Sequence, residues 1–235
     1  MSDPVLELRD VSKDYHGLRP LRIASLRVAP GEQVALVGFD QSTAEIFVNL
    51  VTGASLPDRG VIRLFGRATT EITDSADWLT VVDRFGIVSR RAVLLEALTV
   101  VQNLVMPYTL EVEPPSAEHR ERAMALAREV GLAETTFDRP VGELDTAGMF
   151  RARMARAVAL DPAVVLFEHP TAGVEPDALA DLAARCRAVA SARRIATVVL
   201  TADRAFAAAS ASRVLTLEPA TGRLASGWLS RLRGA

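Results

Sequence analysis

A short apolar run that ends in a glycine constrains the fold of this chain more than any other feature. Residues 33–37 read QVALV, and Gly38 follows them directly. A continuous apolar run of this length is typical of a parallel strand that is buried on both faces. Beyond the glycine, apolar residues return at helical spacing and stop at Gly53: Ile46, Phe47, Leu50 and Val51. The segment therefore predicts a strand, a turn and a helix, the building unit of an α/β sheet.

The rest of the chain divides into strand-rich ends and a helical middle. Strands are predicted at residues 5–11, 21–28, 61–65, 85–88, 164–167, 197–200 and 214–217. Helices are predicted at residues 116–131, 146–159, 177–191 and 204–211, and residues 94–160 are mostly helical. Since strands that alternate with helices form parallel sheets covered on both faces, we expect one α/β domain over residues 1–235. Its core lobe is predicted at 1–90 and 161–235, with a helical lobe at approximately 91–160.

Composition and charge exclude several classes of protein. The 235 residues are 49% hydrophobic and 24% charged, which excludes a wholly disordered or collagen-like chain. No apolar run approaches the roughly 18 residues of a membrane-spanning helix, and the first residues do not resemble a signal peptide. A net charge of −2 gives no basic footprint for nucleic acid. The one cysteine, Cys186, rules out an internal disulfide, and we expect a cytoplasmic protein.

The segment after the buried strand lies where α/β proteins bind phosphate, because the N-terminus of a helix offers unpaired N–H groups. A working phosphate-binding loop reads G-x-x-x-x-G-K-[ST], in which the lysine neutralises the phosphates and the hydroxyl holds magnesium. Here Thr43 stands for the second glycine, Ala44 for the lysine and Glu45 for the hydroxyl residue. The full segment is Gly38, Phe39, Asp40, Gln41, Ser42, Thr43, Ala44 and Glu45. Alone, this match is too weak to predict a nucleotide site.

The order of six segments is more specific than any one of them. In chain order they read VLELRDVSKDYHG, ALVGFDQSTAE, FGIVSRRAVLLEALTVVQNLVMP, VGELDTAGMFRARMARAVALDP, AVVLFEHPTAGVEP and VVLTADRAFAAA. Together they resemble the ATP-binding subunit of ABC transporters over essentially the full chain. The resemblance implies a P-loop NTPase-like ABC ATPase core of α/β class, with helices on both faces of a mostly parallel sheet, an antiparallel β subdomain and an inserted α-helical subdomain.

The resemblance also assigns places in the family's site to particular residues. It implies an adenine-stacking role for Tyr15, a phosphate-binding role for residues 38–45 and the place of the Q-loop glutamine for Arg90. The signature motif corresponds to Leu144, Asp145, Thr146, Ala147 and Gly148, and the D-loop to Gly173 and Glu175. The Walker B acid, the catalytic base and the switch histidine correspond to Glu168, His169 and Ala202. The scaffold residues of the family persist, whereas those that carry its chemistry are replaced.

The replacements in the phosphate-binding segment predict a weak or inactive site. Glu45 adds a negative charge where phosphate would bind. Gln41 and Thr43 replace residues that need unusual dihedral angles, so the loop is not expected to wrap. ATP and magnesium are therefore doubtful at this chain's own site. In the alternative interpretation, Glu45 and Glu168 hold magnesium together, which would relieve the repulsion.

Three further residues also have two interpretations each. His169 could polarise water as a base, but we favour a residue that is tolerated where the base was lost. Arg90 and Arg91 could reach phosphate in place of the missing lysine. For both arginines, solvation or contact with acidic groups of a partner is the favoured interpretation.

Three functions follow from these residues. The favoured one is an ABC transporter ATP-binding-type subunit, catalytically degenerate, that couples to a membrane permease and pairs with an active ATPase as a hetero- or homodimer. Such a subunit would be peripheral at the cytoplasmic face of the inner or plasma membrane, with the permease docking at residues 90–98 through Leu94 and Leu95. The alternatives are a functional ATPase with non-standard site residues, and a scaffold or regulatory protein that keeps the fold without nucleotide.

Overall fold

The computed structural model describes residues 3–226, which form ten strands and seven α-helices. The strands are β1 (Leu6–Lys13), β2 (Leu21–Val28), β3 (Gln33–Val37), β4 (Arg59–Leu64), β5 (Arg67–Ala68), β6 (Phe85–Val88), β7 (Val164–Glu168), β8 (Ala196–Thr201), β9 (Arg213–Glu218) and β10 (Arg223–Ser226). The helices are α1 (Gln41–Val51), α2 (Ser75–Val82), α3 (Val100–Val105), α4 (Ala117–Glu129), α5 (Thr146–Val158), α6 (Leu179–Arg193) and α7 (Arg204–Ser210).

Two sheets of different kinds organise these elements. A six-stranded sheet has the order β10-β9-β3-β8-β7-β6, in which β10 alone is antiparallel to its neighbour. A four-stranded antiparallel sheet has the order β2-β1-β4-β5. Helices α3, α4 and α5 follow one another between β6 and β7, as an insertion into the parallel sheet. The predicted α/β fold class, with both kinds of sheet and a helical insertion, is confirmed.

Hydrophobic burial holds the layers together on both faces of the parallel sheet. Every residue of β3, β7 and β8 is buried, because these strands lie in the middle of the sheet. One apolar cluster packs α3, α4, α5 and α6 against one face of the sheet, and it includes Cys186. The other cluster packs α1 and the antiparallel sheet against the opposite face. Burial raises the pKa of the Cys186 thiol, which fits its predicted place in the core.

The prediction missed three elements that have weak apolar patterns. Helix α2 begins after Asp74, whose side chain accepts a hydrogen bond from the backbone N–H of Asp77. Strands β5 and β10 are only two and four residues long, and each lies at the edge of its sheet. The predicted helix 177–191 is a 3₁₀ turn, Pro176–Ala178, that leads into α6. Among residues 3–226, no helix combines the length and the hydrophobicity that crossing a membrane requires.

The topology brings the candidate site residues to one edge of the molecule. Since β3, β8, β7 and β6 are parallel neighbours, their carboxyl ends meet at the same edge. Gly38, Ser89, His169 and Ala202 each follow directly after one of these strands. Ligands of open α/β sheets bind in the crevices outside the carboxyl ends of strands, so this edge is the place to look for a site.

Candidate functional site

Helix α1 begins three residues after Gly38, and an aspartate caps its N-terminus. Asp40 Oδ1 accepts hydrogen bonds from the Thr43 backbone N–H at 2.8 Å and from Thr43 Oγ1 at 2.7 Å. These two bonds, that of the backbone N–H first, lower the pKa of Asp40 below its ordinary value of 3.8. A carboxylate of this chain thus lies at the helix terminus where an α/β protein would bind phosphate.

The loop before α1 is short and held by the core. Gly38 has a φ of +98°, which permits the turn after β3. The Phe39 side chain is buried and packs edge-to-face against Phe47, with the ring centroids 5.6 Å apart. Gln41 and Ser42 belong to the first turn of α1 and are exposed. The segment therefore continues as a helical turn where a phosphate-binding loop would wrap around its ligand.

Two residues of α1 that correspond to the lysine and hydroxyl positions face in different directions. Ala44 is 0% exposed, and its methyl group belongs to the apolar cluster beneath α1. Glu45 is partly exposed and turns toward the end of β7. A longer side chain at residue 44 would have to displace this packing, so the position is occupied by core structure.

Arg91 lies between two carboxylates from different elements. Its NH1 donates to Glu45 Oε1 at 3.0 Å, its NH2 to Glu168 Oε2 at 2.6 Å and its Nε to Glu168 Oε1 at 3.2 Å. The Glu168 side chain is only 5% exposed, so it requires a counter-charge. The hydrogen bonds between Arg91 and the Glu168 carboxylate are the main cause of the raised pKa of Arg91. The prediction that Arg91 is solvated or faces a partner is wrong, because the buried carboxylate of its own chain binds it.

This ion-pair triad, Glu45–Arg91–Glu168, bears on the magnesium alternative. Both oxygens of Glu168 accept from the guanidinium, in the bidentate arrangement that arginine favours. The two carboxylates therefore do not fit a magnesium ion unless Arg91 leaves. Among residues 3–226, no group of three or more histidine, cysteine, aspartate or glutamate side chains lies close enough to hold a metal ion.

The predicted nucleotide residues are divided between two cavities. Tyr15, Gly38, Asp40 and Thr43 line a cavity of about 260 Å³ beside the start of α1. Burial, and then the charge of Asp40, raises the pKa of the Tyr15 hydroxyl. Arg90 does not line this cavity. It lines a second one of about 240 Å³, which it shares with Thr146, Glu168 and His169.

His169 has a constrained position in the second cavity. Its φ is +47°, and its backbone N–H donates to the carbonyl of Leu200 at 2.9 Å. Its Nε2 is buried and has no hydrogen-bond partner among the described residues. Ala202, two residues beyond Leu200, is exposed and carries no group that could act on a proton.

Helix α5 begins in the same way as α1. Asp145 is its N-cap, and Asp145 Oδ1 accepts from the Gly148 backbone N–H at 2.6 Å. Ala147 and Gly148 are buried, Leu144 is partly buried, and Thr146 is exposed at the surface. Gly173, with a φ of +72°, and Glu175 lie on the exposed loop after β7. Both helices that border the site thus carry an aspartate at the N-cap.

Comparison with known proteins identifies the family. The profile described as ABC transporter matches residues 21–172, more than half of the chain. The chain belongs to the ABC transporter family. It is 34% identical over 220 residues to the lipoprotein-releasing system ATP-binding protein LolD of Maricaulis maris, covering 92% of this chain and 95% of that protein. It is 32% identical to the pyoverdine export ATP-binding/permease protein PvdT of Pseudomonas entomophila, covering 92% of this chain and 33% of that protein.

Solved structures of this family share the fold. The cbiO1 protein of Clostridium perfringens, part of the ABC transporter complex cbiONQ, superposes with a TM-score of 0.83 at 19% identity, covering 99% of this chain and 91% of that one. The ATP-binding cassette MJ0796, in a dimer bound to ADP and Pi, superposes with a TM-score of 0.76 at 20% identity, covering 94% and 97%. These likenesses establish an ABC ATPase cassette fold for this chain.

A third cleft of this ABC cassette, about 420 Å³ in volume, lies between β6, α3 and α5. Arg153 and Arg156 line it together with apolar side chains: Phe85, Leu94, Met106 and Leu160. Among the described residues, Arg153 donates to the carbonyl of Ala92 at 3.1 Å and Arg156 to the carbonyl of Val93 at 2.7 Å. Burial is the main cause that lowers the pKa of both arginines. The cleft therefore has apolar walls that carry two arginines and one carboxylate, that of Asp83.

The predicted docking residues differ in exposure. Leu94 is 5% exposed and packs in the chain's own core, so it can contribute to a docking surface only as a buried part of the wall of the third cleft. Leu95 is 43% exposed and Val93 is 70% exposed. Sequence reasoning missed Arg153, Arg156 and the role of Arg91. The signal for Arg91 in the sequence was the arginine pair Arg90–Arg91, just after the predicted strand 85–88. The two acidic residues that bind it, Glu45 and Glu168, lie near the start of a predicted helix and at the end of another predicted strand.

Proposed function

We propose that this chain is an ABC transporter ATP-binding-type subunit whose own nucleotide site does not hydrolyse ATP. It binds a membrane permease and pairs with an active ATPase. The observation that carries the proposal is the carboxylate of Asp40 at the N-terminus of α1, on the donors that a phosphate would need.

The charge of Asp40 opposes the phosphates of a nucleotide. Two like charges about 4 Å apart repel by about 1 kcal/mol in water and about 4 kcal/mol at an effective dielectric of 20. Asp40 is exposed, which places its effect nearer the lower figure. Ala44 supplies no compensating charge, and Glu45 adds a second negative one. Together these residues support weak or absent binding of ATP at this site.

The triad supports the same conclusion for the metal. Phosphoryl transfer depends on cations and donors that neutralise charge as it develops. Here Arg91 already neutralises Glu45 and Glu168, so their charges are satisfied without magnesium. The buried Nε2 of His169 has no hydrogen-bond partner among the described residues, which favours a structural residue over a base.

The relatives support the partners that we propose. LolD, PvdT and the methionine import protein MetN of Brucella abortus are all named as ATP-binding transport proteins. MJ0796 forms a dimer with ADP and Pi. In a pair with an active ATPase, residues Leu144–Gly148 of this chain would face the partner's nucleotide, and the permease would dock at the third cleft beside Val93 and Leu95.

ATP turnover by the purified chain tests the catalytic part of the proposal. We expect no turnover above that of a heat-inactivated sample. Turnover that falls in Glu45→Ala and Glu168→Ala but persists in Glu118→Ala would overturn the proposal in favour of an ATPase with non-standard residues. Glu118 is a suitable control because it is exposed on α4 and makes no ion pair among residues 3–226.

Co-purification tests the partners. A tagged chain extracted from its native membrane in detergent should retain a permease and a second ATPase. Leu95→Glu should abolish binding of the permease. Leu56→Glu should retain it, since Leu56 is comparably exposed but does not line the cleft. Retention of the permease by Leu95→Glu would contradict docking at this surface.

The cap of α5 favours a scaffold without nucleotide as a second candidate. Asp145 places a carboxylate at the helix terminus that would face the partner's phosphates. Titration of a fluorescent ATP analogue into the co-purified pair distinguishes the two functions. Binding stronger than that of the isolated partner ATPase supports the favoured proposal, and binding equal to or weaker than that supports the scaffold.

A further inference from the structure

The second cavity, between the carboxyl ends of β6 and β7 and the first turns of α5, has the walls of a ligand site. It has a volume of about 240 Å³. One wall is a single face of α5, with Thr146, Met149, Phe150 and Arg153 at helical spacing. The opposite wall is formed by Arg90 and by the loop from His169 to Val174. The cavity therefore occupies the crevice in which open α/β sheets bind ligands.

Two arginines, Arg90 and Arg153, line this cavity without a counter-charge within residues 3–226, and Arg153 also lines the third cleft. Neither Arg90 nor Arg153 makes an ion pair within residues 3–226. Burial, followed by the charge of Arg90, lowers the pKa of Arg153, which indicates that the two cations repel each other. Arg90 Nη1 and the Thr146 methyl both lie within 4 Å of the space that a Cβ at Gly173 would occupy, which places the Arg90 guanidinium near the start of α5.

The carboxylates near the cavity do not satisfy these arginines. Glu168 lines the cavity, but both of its oxygens accept from Arg91. Glu96 also lines it and is close enough to raise the pKa of Arg153, yet no ion pair joins the two residues. The His169 Nε2 is a buried polar atom in the same wall that has no partner among the described residues.

We propose that this cavity binds one small organic anion, a carboxylate or a phosphate monoester, between Arg90 and Arg153. The planar guanidinium forks match the oxygens of either group. The Thr146 hydroxyl and the His169 ring supply further polar contacts. This site does not include the N-terminus of α1, because Tyr15, Gly38, Asp40 and Thr43 line a different cavity, but it does include Arg90 and His169, which are positions of the predicted nucleotide site. It stands or fails independently of the function proposed above.

Calorimetric titration of the full chain with malonate and with inorganic phosphate, at constant ionic strength, tests the site. We expect saturable binding of at least one probe at one site per chain, and the probe that binds distinguishes a carboxylate ligand from a phosphate ligand. Arg90→Gln and Arg153→Gln should each weaken binding by roughly tenfold or more. The absence of saturable binding of both probes would overturn the proposal.

Arg156→Gln provides the matched control. Arg156 lies on the same helix as Arg153, is also partly buried and also has a lowered pKa, but it lines only the third cleft. Its replacement should leave binding within about twofold of the unmodified chain. Loss of binding in Arg156→Gln together with its retention in Arg90→Gln would place the anion in the third cleft and refute the proposed site.

Discussion

Helices α1 and α5 start with the same cap but differ in how far they depart from the ABC family pattern. Each has an aspartate N-cap that accepts from the N–H three residues later. At α5, Asp145 lies in the segment that is predicted to correspond to the signature motif, and aspartate is a preferred N-cap. It therefore starts the helix in the usual way and adds a negative charge. At α1, Asp40 starts a helix within the segment that would wrap around phosphate in a phosphate-binding loop. Both the charge and the backbone conformation of this segment therefore differ from those of such a loop.

In the degenerate site that we propose, the changes are concentrated around α1. On the α5 side, the ion pair of Arg151 reaches an exposed carboxylate, that of Asp181 at 2.7 Å. Around α1 the chain supplies its own anion at the helix terminus and its own cation in the triad. These internal charges stabilise the altered region without a ligand.

Removal of the cation from the triad should give the largest effect. Arg91→Gln leaves Glu168 buried beside an uncharged group, and breaking a buried pair in this way costs about 3–5 kcal/mol. Since Arg91 is partly exposed, we expect the lower end, about 3 kcal/mol, in the free energy of unfolding measured by urea denaturation. The double variant Arg91→Gln/Glu168→Gln should recover part of this loss.

The matched change on the α5 side is Arg151→Gln. Its partner Asp181 is more than half exposed, so the expected loss is about 1 kcal/mol or less. Equal losses in Arg91→Gln and Arg151→Gln would show that the α1 region does not depend on its internal cation, and the contrast between the two helices would fail.

A lysine at residue 44 should give the second largest effect. Ala44→Lys restores the residue type of the phosphate-binding pattern, but it forces a long side chain into packed core. We expect a loss of about 1–3 kcal/mol in the free energy of unfolding from overpacking. Ser42→Lys on the exposed side of the same turn should change it by less than about 0.5 kcal/mol. A gain of ATP binding in Ala44→Lys would show that the loop can still wrap.

Sequence patterns predicted the buried parts of the fold better than the site. Strands 21–28, 33–37 and 85–88 have the predicted bounds, because their apolar periodicity reflects burial in the sheet. Apolar spacing also located α1. Because the first apolar residue of that pattern is Ile46, the prediction did not include the first turn of the helix or its cap, Asp40. The contact between Arg91 and Glu168 joins residues 77 positions apart, and no local pattern encodes such a pair.

Removal of either cap should give smaller and similar effects. Asp40→Ala and Asp145→Ala each lose one cap hydrogen bond to a backbone N–H, worth about 1 kcal/mol. Replacement by serine at either position should restore most of that stability in the same urea titration. A much larger loss for Asp40→Ala would mean that this cap supports the whole altered segment, and the two caps would then not be equivalent.

The smallest effect isolates the charge of the α1 cap. Asp40→Asn keeps a side-chain oxygen that can cap the helix and removes the negative charge. Because hydrogen bonds from Thr43 lower the pKa of Asp40, its charge stabilises the fold above the ordinary pKa of 3.8, and this contribution is lost as the pH falls through the lower folded pKa. At pH 6 we expect the unmodified chain to exceed Asp40→Asn by less than about 1 kcal/mol, since Asp40 is exposed.

Urea titrations at pH 6, 4 and 3 measure that difference at each pH. The unmodified chain and Asp40→Asn should converge as the pH falls below 3.8, whereas Glu111→Gln, which removes an exposed carboxylate outside the helices, should differ from the unmodified chain by a nearly constant amount. A difference that stays constant over this range would mean that the Asp40 carboxylate does not gain stability from the α1 terminus. The backbone N–H groups at the start of α1 would then remain available to an external anion. The argument that Asp40 takes the place of a phosphate at this terminus would fail.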